Sequence, residues 1–122
     1  SSSAASDVYK RQDQDIAQLE NVTAYLNDHY AFDIPLERLA KIACMGTTKL
    51  KTSFKQLQGC TITEYIQQRR MSQAEHLLID TDFTMGQIAE MIGYSTSSRF
   101  AELFRKSTGL LPIEYRKMAQ QK

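Results

Sequence analysis

The chain has 122 residues, a formal net charge of +1, 42% hydrophobic residues, five glycines and two prolines. This length suits one small domain or two very small subdomains sharing a core, and scarce Gly and Pro beside plentiful Leu, Ala, Lys, Gln and Glu favour helix over sheet. No apolar run approaches the roughly 20 residues of a membrane span and nothing reads as a signal peptide, so the expected location is cytoplasmic with no membrane partner.

Residues 1–13 are small, polar and Ser-rich and show no apolar periodicity. They are expected to be a disordered leader. Asp7 to Gln12 also resembles the translation of a sequencing-library adapter, which would make the segment an artefactual edge with the gene continuing upstream. The folded domain is expected over residues 14–119.

From Asp15 the pattern turns helical, with Ile16, Leu19, Val22, Thr23, Leu26 and Tyr30 on one face at three- and four-residue steps. A second helix has Pro35 in its first turn, where a missing N–H costs little, carries Leu36, Leu39, Ala40 and Ala43, and stops near Met45-Gly46. Thr47 or Thr48 can cap a third helix to about Gln58, with Gly59 as its stop. Thr61-x-x-Glu64 has the form of a capping box opening a long fourth helix over about 61–80, with Tyr65, Ile66, Ala74, Leu77 and Leu78 as its apolar set. Thr84-x-x-Gln87 opens a fifth helix, Met85 to Ile92. Thr96 or Ser97 caps a sixth to about Ser107, with Gly109 as its stop. Pro112 begins a seventh, over about 112–119.

Within this order the chain repeats itself. Phe54-Lys55, Gly59 and Glu64-Tyr65 recur as Phe104-Arg105, Gly109 and Glu114-Tyr115, each shifted by 50. Leu39-Ala40 with Cys44-Met45 is echoed by Ile88-Ala89 with Gly93-Tyr94, shifted by 49. In each copy an Ala stands four residues before a small residue, as two helices crossing steeply through a tight turn require. The helix-turn-helix pattern is therefore present twice, over about 35–58 and 84–107. The expected fold is all-α, with seven helices and two helix-turn-helix subdomains joined by a long linking helix.

Catalytic and metal chemistry have little support. Cys44 and Cys60 form no CxxC and read as small reduced core or near-core residues. His29 and His76 are isolated, and no Ser-His-Asp order, paired carboxylates or Gly-rich phosphate loop appears. The chain is expected not to be an enzyme and to hold no cofactor or metal. Charge is distributed more tellingly than its total suggests: residues 1–46 carry four basic and seven acidic side chains, residues 47–122 eleven and seven.

On the third helix Leu50, Ser53, Phe54 and Leu57 should face inward, leaving Thr48, Lys51, Thr52 and Lys55 outward. On the sixth, Phe100, Leu103 and Phe104 should face inward, leaving Ser98, Glu102 and Arg105 outward, with Ser97, Arg99 and Lys106 flanking. Short hydroxyls beside long charged groups suit base edges and phosphates in a major groove. A linking helix of roughly 20 residues spans about 30 Å, close to the ~34 Å recurrence of major-groove faces on one side of B-DNA.

The run Leu36 to Lys117 resembles the C-terminal DNA-binding domain of AraC/XylS-type transcriptional regulators. The resemblance rests on Ile88-Ala89, Gly93-Tyr94-Ser95, Phe100, Phe104-Arg105-Lys106, Gly109, Pro112 and Glu114-Tyr115-Arg116. Tyr65, Arg70-Met71, Ala74 and Leu77-Leu78 add to it in the linking helix. It implies a sequence-specific transcription regulator, an activator, that reads two consecutive major grooves of double-stranded DNA. It also implies RNA polymerase as a further partner, and a small-molecule effector acting through an N-terminal effector or dimerisation domain absent from this sequence. By position, Thr48, Lys51, Thr52, Ser97, Ser98 and Glu102 would read bases. Thr47, Lys49, Lys55, Thr96, Arg99, Arg105 and Lys106 complete the DNA-binding set, chiefly through the backbone. Two departures stand out: Cys44 where Gly is usual, and Glu102 where a basic or neutral reader is common. The alternatives are a helical protein-interaction module, or the DNA-binding part of a DNA-repair enzyme.

Overall fold

The structure, a computed structural model, describes the backbone of residues 2–121 and the side chains of residues 13–121. Among the described residues the elements are helices α1 (Ser2–His29), α2 (Leu36–Ala43), α3 (Thr47–Gln58), α4 (Ile62–Asp80), α5 (Met85–Ile92), α6 (Ser97–Thr108) and α7 (Pro112–Gln120). The all-α expectation, with two helix-turn-helix pairs and a long helix between them, agrees with this order. Helix α1 runs back to Ser2. Ala4, Ala5, Lys10, Arg11 and Gln12 are good helix formers with no Gly or Pro among them. A helix already nucleated further on extends through such residues at one hydrogen bond per residue fixed. Ser1, and the side chains of residues 1–12, lie outside the described residues.

The chain divides into two compact units, residues 1–29 with 34–66, and residues 30–33 with 67–122. In the first, Leu19, Val22 and Leu26 of α1 are buried with Leu39, Ala40 and Ala43 of α2 and with Leu50 and Phe54 of α3. In the second, Met71, Ala74, Leu77 and Leu78 of α4 are buried with Ile88, Ala89 and Ile92 of α5 and with Phe100 and Phe104 of α6. The repeat is thus longer than the matched residues suggest. Leu19, Val22 and Leu26 have the three-then-four spacing of Met71, Ala74 and Leu78. Each unit is a support helix carrying a helix-turn-helix pair.

The opening turn of the next helix closes each unit in the same way. Tyr65 meets Phe54 edge to face, with ring centroids 5.6 Å apart, and Tyr115 meets Phe104 at 5.4 Å. Such pairs contribute about 0.5–1.5 kcal/mol beyond their burial. The Tyr65 hydroxyl also donates to Asn27 Oδ1 at 2.9 Å.

Helix ends follow the expected chemistry with three differences. Thr84 and Gln87 form the reciprocal capping box, and Thr96 caps α6 by accepting from the Arg99 N–H at 3.1 Å. At α4 the Thr61 hydroxyl accepts from the Glu64 N–H, but it also donates to the Glu64 carboxylate, so the box is half formed. At α3 the N-cap is Gly46 with no side-chain bond, and Thr47 and Thr48 are already helical. Pro35 is the N-cap of α2, one position outside its first turn. Two inward assignments also shift: Leu57 and Ile16 are 42% and 43% exposed, at the edge where α1 runs beside α3.

The two tight turns share one hydrogen-bond scheme. The N–H of Met45 bonds to the Ala40 carbonyl and that of Tyr94 to the Ala89 carbonyl, each placing the preceding residue in the left-handed region. That residue is Gly93 in α5–α6 and Cys44, at φ 54°, in α2–α3. Cys44 is exposed, not near-core as its composition suggested. Around Gly93 there is no room for a side chain: a Cβ there would lie 2.5 Å from the Ala31 carbonyl oxygen.

Two arginines from the motif are structural. Arg116 donates to the carbonyls of Leu78 (2.9 Å), Phe83 (2.7 Å), Thr81 (3.1 Å) and Leu77 (3.5 Å). It therefore caps the C-terminus of α4, which has no basic residue in its own last turn. Arg70 donates to the Tyr30 carbonyl at 2.7 Å and to the Gly93 carbonyl at 3.4 Å, and lies 4.9 Å from the centroid of the Tyr94 ring. The Tyr94 hydroxyl donates to Gln67 Oε1 at 2.7 Å, and burial pushes its phenol above the usual value against the opposing pull of Arg70.

Gly93→Ala should destabilise the chain by about 2 kcal/mol or more, whereas Cys44→Gly should stabilise it by about 1 kcal/mol by removing left-handed strain without a steric cost. Urea unfolding of both variants measures the contrast. Arg116→Met should cost about 2–3 kcal/mol in the same measurement, and Arg116→Lys should recover less than half of it, because an ammonium cannot fork across several carbonyls.

Candidate nucleic-acid interface

The buried rings set the rotation of α3 and α6. With Leu50 and Phe54 fully buried, the helical step of about 100° turns Thr48, Thr52 and Lys55 to the opposite side. With Phe100 and Phe104 buried, it does the same for Ser98, Glu102 and Arg105, their counterparts at a shift of 50. All six are exposed. Lys51 is exposed on one flank of α3 and Lys49 on the other; in α6 Arg99 and Lys106 are exposed beside the central stripe.

The remaining expected residues have more particular settings. Thr47, the first residue of α3, is half-buried. Thr96 is exposed, but its oxygen is occupied by the Arg99 N–H, leaving its hydroxyl proton to donate. Ser97 is exposed in the first turn of α6. The Thr52 hydroxyl donates to the Thr48 carbonyl at 3.1 Å, so it offers outward lone pairs instead of its proton. Lys49 Nζ lies 3.3 Å from Asp15 Oδ2 of α1, and Arg99 lies 3.6 Å from Glu102. Both pairs are solvent-exposed, so each is worth little and a phosphate can displace the carboxylate.

One exposed residue escaped the sequence reading. Gln56 takes the place on α3 that Lys106 takes on α6, and the shift of 50 alone pointed to it. A Gln amide is suited to the adenine edge, and its long stem gives it reach.

The two stripes differ in charge. The exposed surface of α3 carries Lys49, Lys51 and Lys55 and no carboxylate, while that of α6 sets Arg99, Arg105 and Lys106 against Glu102. Neither helix has an acidic residue in its first turn, so the positive end of each macrodipole is uncompensated. Among the described residues there is no cluster of three or more His, Cys, Asp or Glu able to hold a metal, and no helix long and apolar enough to cross a membrane.

A family model described as a helix-turn-helix domain matches residues 39–118. The chain is 34% identical over 99 residues to the bifunctional transcriptional activator/DNA repair enzyme AdaA of Bacillus subtilis (strain 168), covering 81% of this chain and 47% of AdaA. It is 33% identical over 100 residues to the HTH-type transcriptional activator RhaS of Enterobacter sp. (strain 638), covering 82% of this chain and 36% of RhaS. The chain thus spans less than half the length of either relative. The DNA-binding domain of the global transcriptional factor AdpA, solved in complex with a target DNA, superposes with a TM-score of 0.79 at 25% identity, covering 84% of this chain and 93% of that one. Both helix pairs fall inside the matched region, and by that match the chain belongs to the AraC-type helix-turn-helix family.

Proposed function

We propose that this chain is a sequence-specific DNA-binding part of a transcription regulator, an activator, and that α3 and α6 each enter a major groove of double-stranded DNA. The observation that carries this reading is one scaffold built twice with different exposed stripes. Buried positions coincide at the repeat shift, while Thr48, Lys51, Thr52 and Lys55 give way to Ser98, Ala101, Glu102 and Arg105. Two identical stripes would suit a symmetric target; two unlike stripes suit an asymmetric site read in consecutive grooves. The names of RhaS and AdaA, and the AdpA–DNA complex, support it.

In this reading Thr48, Lys51, Thr52, Ser97, Ser98 and Glu102 touch base edges. Thr47, Lys49, Lys55, Thr96, Arg99, Arg105 and Lys106 hold the phosphates, and Gln56 joins the first set. The domain performs no catalysis of its own and works in the cytoplasm. RNA polymerase is the protein partner an activator needs, and a small-molecule effector would act through a further domain. The likeness to AdaA favours a second reading, in which this chain is the DNA-binding portion of a bifunctional repair protein. The work of α3 and α6 is the same in both.

Duplexes selected from a random pool should bind with an affinity that falls roughly 500-fold between 50 and 200 mM salt, as five phosphate-facing cations imply. A protein-interaction module would show no such slope and no selected sequence. Lys51→Ala should cost about 1–3 kcal/mol and relax preference at one base pair. Arg105→Ala should weaken all duplexes alike and lower the salt slope by about 1. Unchanged affinity in both variants, with folding intact, would refute the assignment of faces.

Glu102 accepts where cytosine N4 donates. Repeating the selection with Glu102→Gln should therefore move one position from cytosine towards adenine, a discrimination of about 1–3 kcal/mol, and raise binding to unselected duplexes. An unaltered preference would leave Glu102 without a reading role.

A further inference from the structure

The flank of α3 borders a groove as well as solvent. Lys51, Thr52 and Lys55 form one wall of a cavity of about 640 Å³ within the first unit. That lies inside the usual range for small-molecule sites, roughly 300–1,000 Å³. The rest of the lining is largely apolar, with Leu36 and Leu39 of α2 and Ile62 and Ile66 of α4.

The internal repeat shows what is unusual here. The counterpart of Ile66, at a shift of 50, is Arg116, whose guanidinium is engaged by the carbonyls of Leu78, Thr81 and Phe83. Ile66 can make no such bonds, so the first unit leaves an apolar cleft where the second places a hydrogen-bonded arginine. The counterpart of Lys51 is Ala101, so the pair of lysines four residues apart on one helix wall also belongs to the first unit alone. Among the described residues neither Lys51 nor Lys55 forms an ion pair. Like charges at this spacing repel, and an anion held between them relieves that repulsion.

We propose that this groove binds an anionic amphiphile, a medium-chain carboxylate, with its head group at Lys51 and Lys55 and its chain along Leu36, Leu39, Ile62 and Ile66. Apolar surface supplies the attraction and the lysines select the charge. Lys51, Thr52 and Lys55 also belong to the stripe assigned to DNA, so an occupied groove excludes DNA from α3. This second half rests on the DNA-reading role proposed above.

The test is a titration of the chain with n-decanoate below its micelle concentration, followed by amide chemical shifts, with decyltrimethylammonium as the cation of matched chain. Saturable binding of decanoate is expected, with shifts centred on the residues around Lys51, Ile62 and Ile66. The affinity should fall at least tenfold in Lys51→Gln/Lys55→Gln and in Ile66→Arg, and the cation should not saturate. The double lysine variant alters exposed side chains only, so it reads the site even where Ile66→Arg perturbs packing. Absent saturation, undiminished affinity in the double variant, or equal binding of the cation overturns the site. Saturating decanoate should also weaken a selected duplex at least tenfold; decanoate bound with duplex affinity unchanged overturns the exclusion. A chain that binds decanoate and no duplex under any condition refutes the DNA-reading role, and the exclusion with it, while the groove assignment stands on the titration.

Discussion

Everything outward on this molecule depends on a ring held inward. Phe54 and Phe104 are fully buried, each with a tyrosine from the following helix meeting it edge to face. A buried aromatic cannot turn out to solvent without losing the burial of a large side chain, so these contacts fix the rotation of α3 and α6 about their axes. Rotation decides which residues a DNA groove would meet. A slip of one residue would bring Lys55 or Arg105 towards the core, where an unpaired charge is far more costly than any surface contact could offset. Which residues make up the exposed stripes is thus decided in the interior.

The second constraint is the tight turn between the paired helices. It needs a residue in the left-handed region, and the chain meets that need in two ways. Gly93 is required twice over, by its backbone conformation and by the Ala31 carbonyl against it. Cys44 answers only the first requirement and tolerates the strain, because nothing in its surroundings forbids a Cβ. The same motif residue is therefore a steric necessity in one unit and an energetic preference in the other.

Much of this was legible in the sequence because repetition exposes a scaffold. The offset of 50 between Phe54 and Phe104, and between Tyr65 and Tyr115, marks both helix pairs and their stops. What the offset could not show was anything made by carbonyls. Arg116 and Arg70 look like phosphate-seeking cations in a motif, yet their guanidinium groups are engaged by backbone oxygens that the sequence does not display. The kinship of α1 with α4 was hidden for another reason. Leu19, Val22 and Leu26 share the spacing of Met71, Ala74 and Leu78 but not the offset of 50 or 49. Of the stripe residues, Thr96 and Thr52 were visible as hydroxyls, but their commitment to the Arg99 N–H and the Thr48 carbonyl was not.

The residues 30–33 give the chain a property that neither helix pair has alone. They lie in sequence between α1 and α2, yet they are grouped with residues 67–122, where the Tyr30 carbonyl receives Arg70 and the Ala31 carbonyl covers Gly93. The two units are therefore interleaved along the polypeptide and do not follow one another. A gene segment beginning at residue 67 would encode the second helix pair without the strap that its turn and its arginine require. Recombination between relatives at that seam would separate parts that depend on one another, so the pair is expected to be inherited, exchanged and engineered as one indivisible cassette.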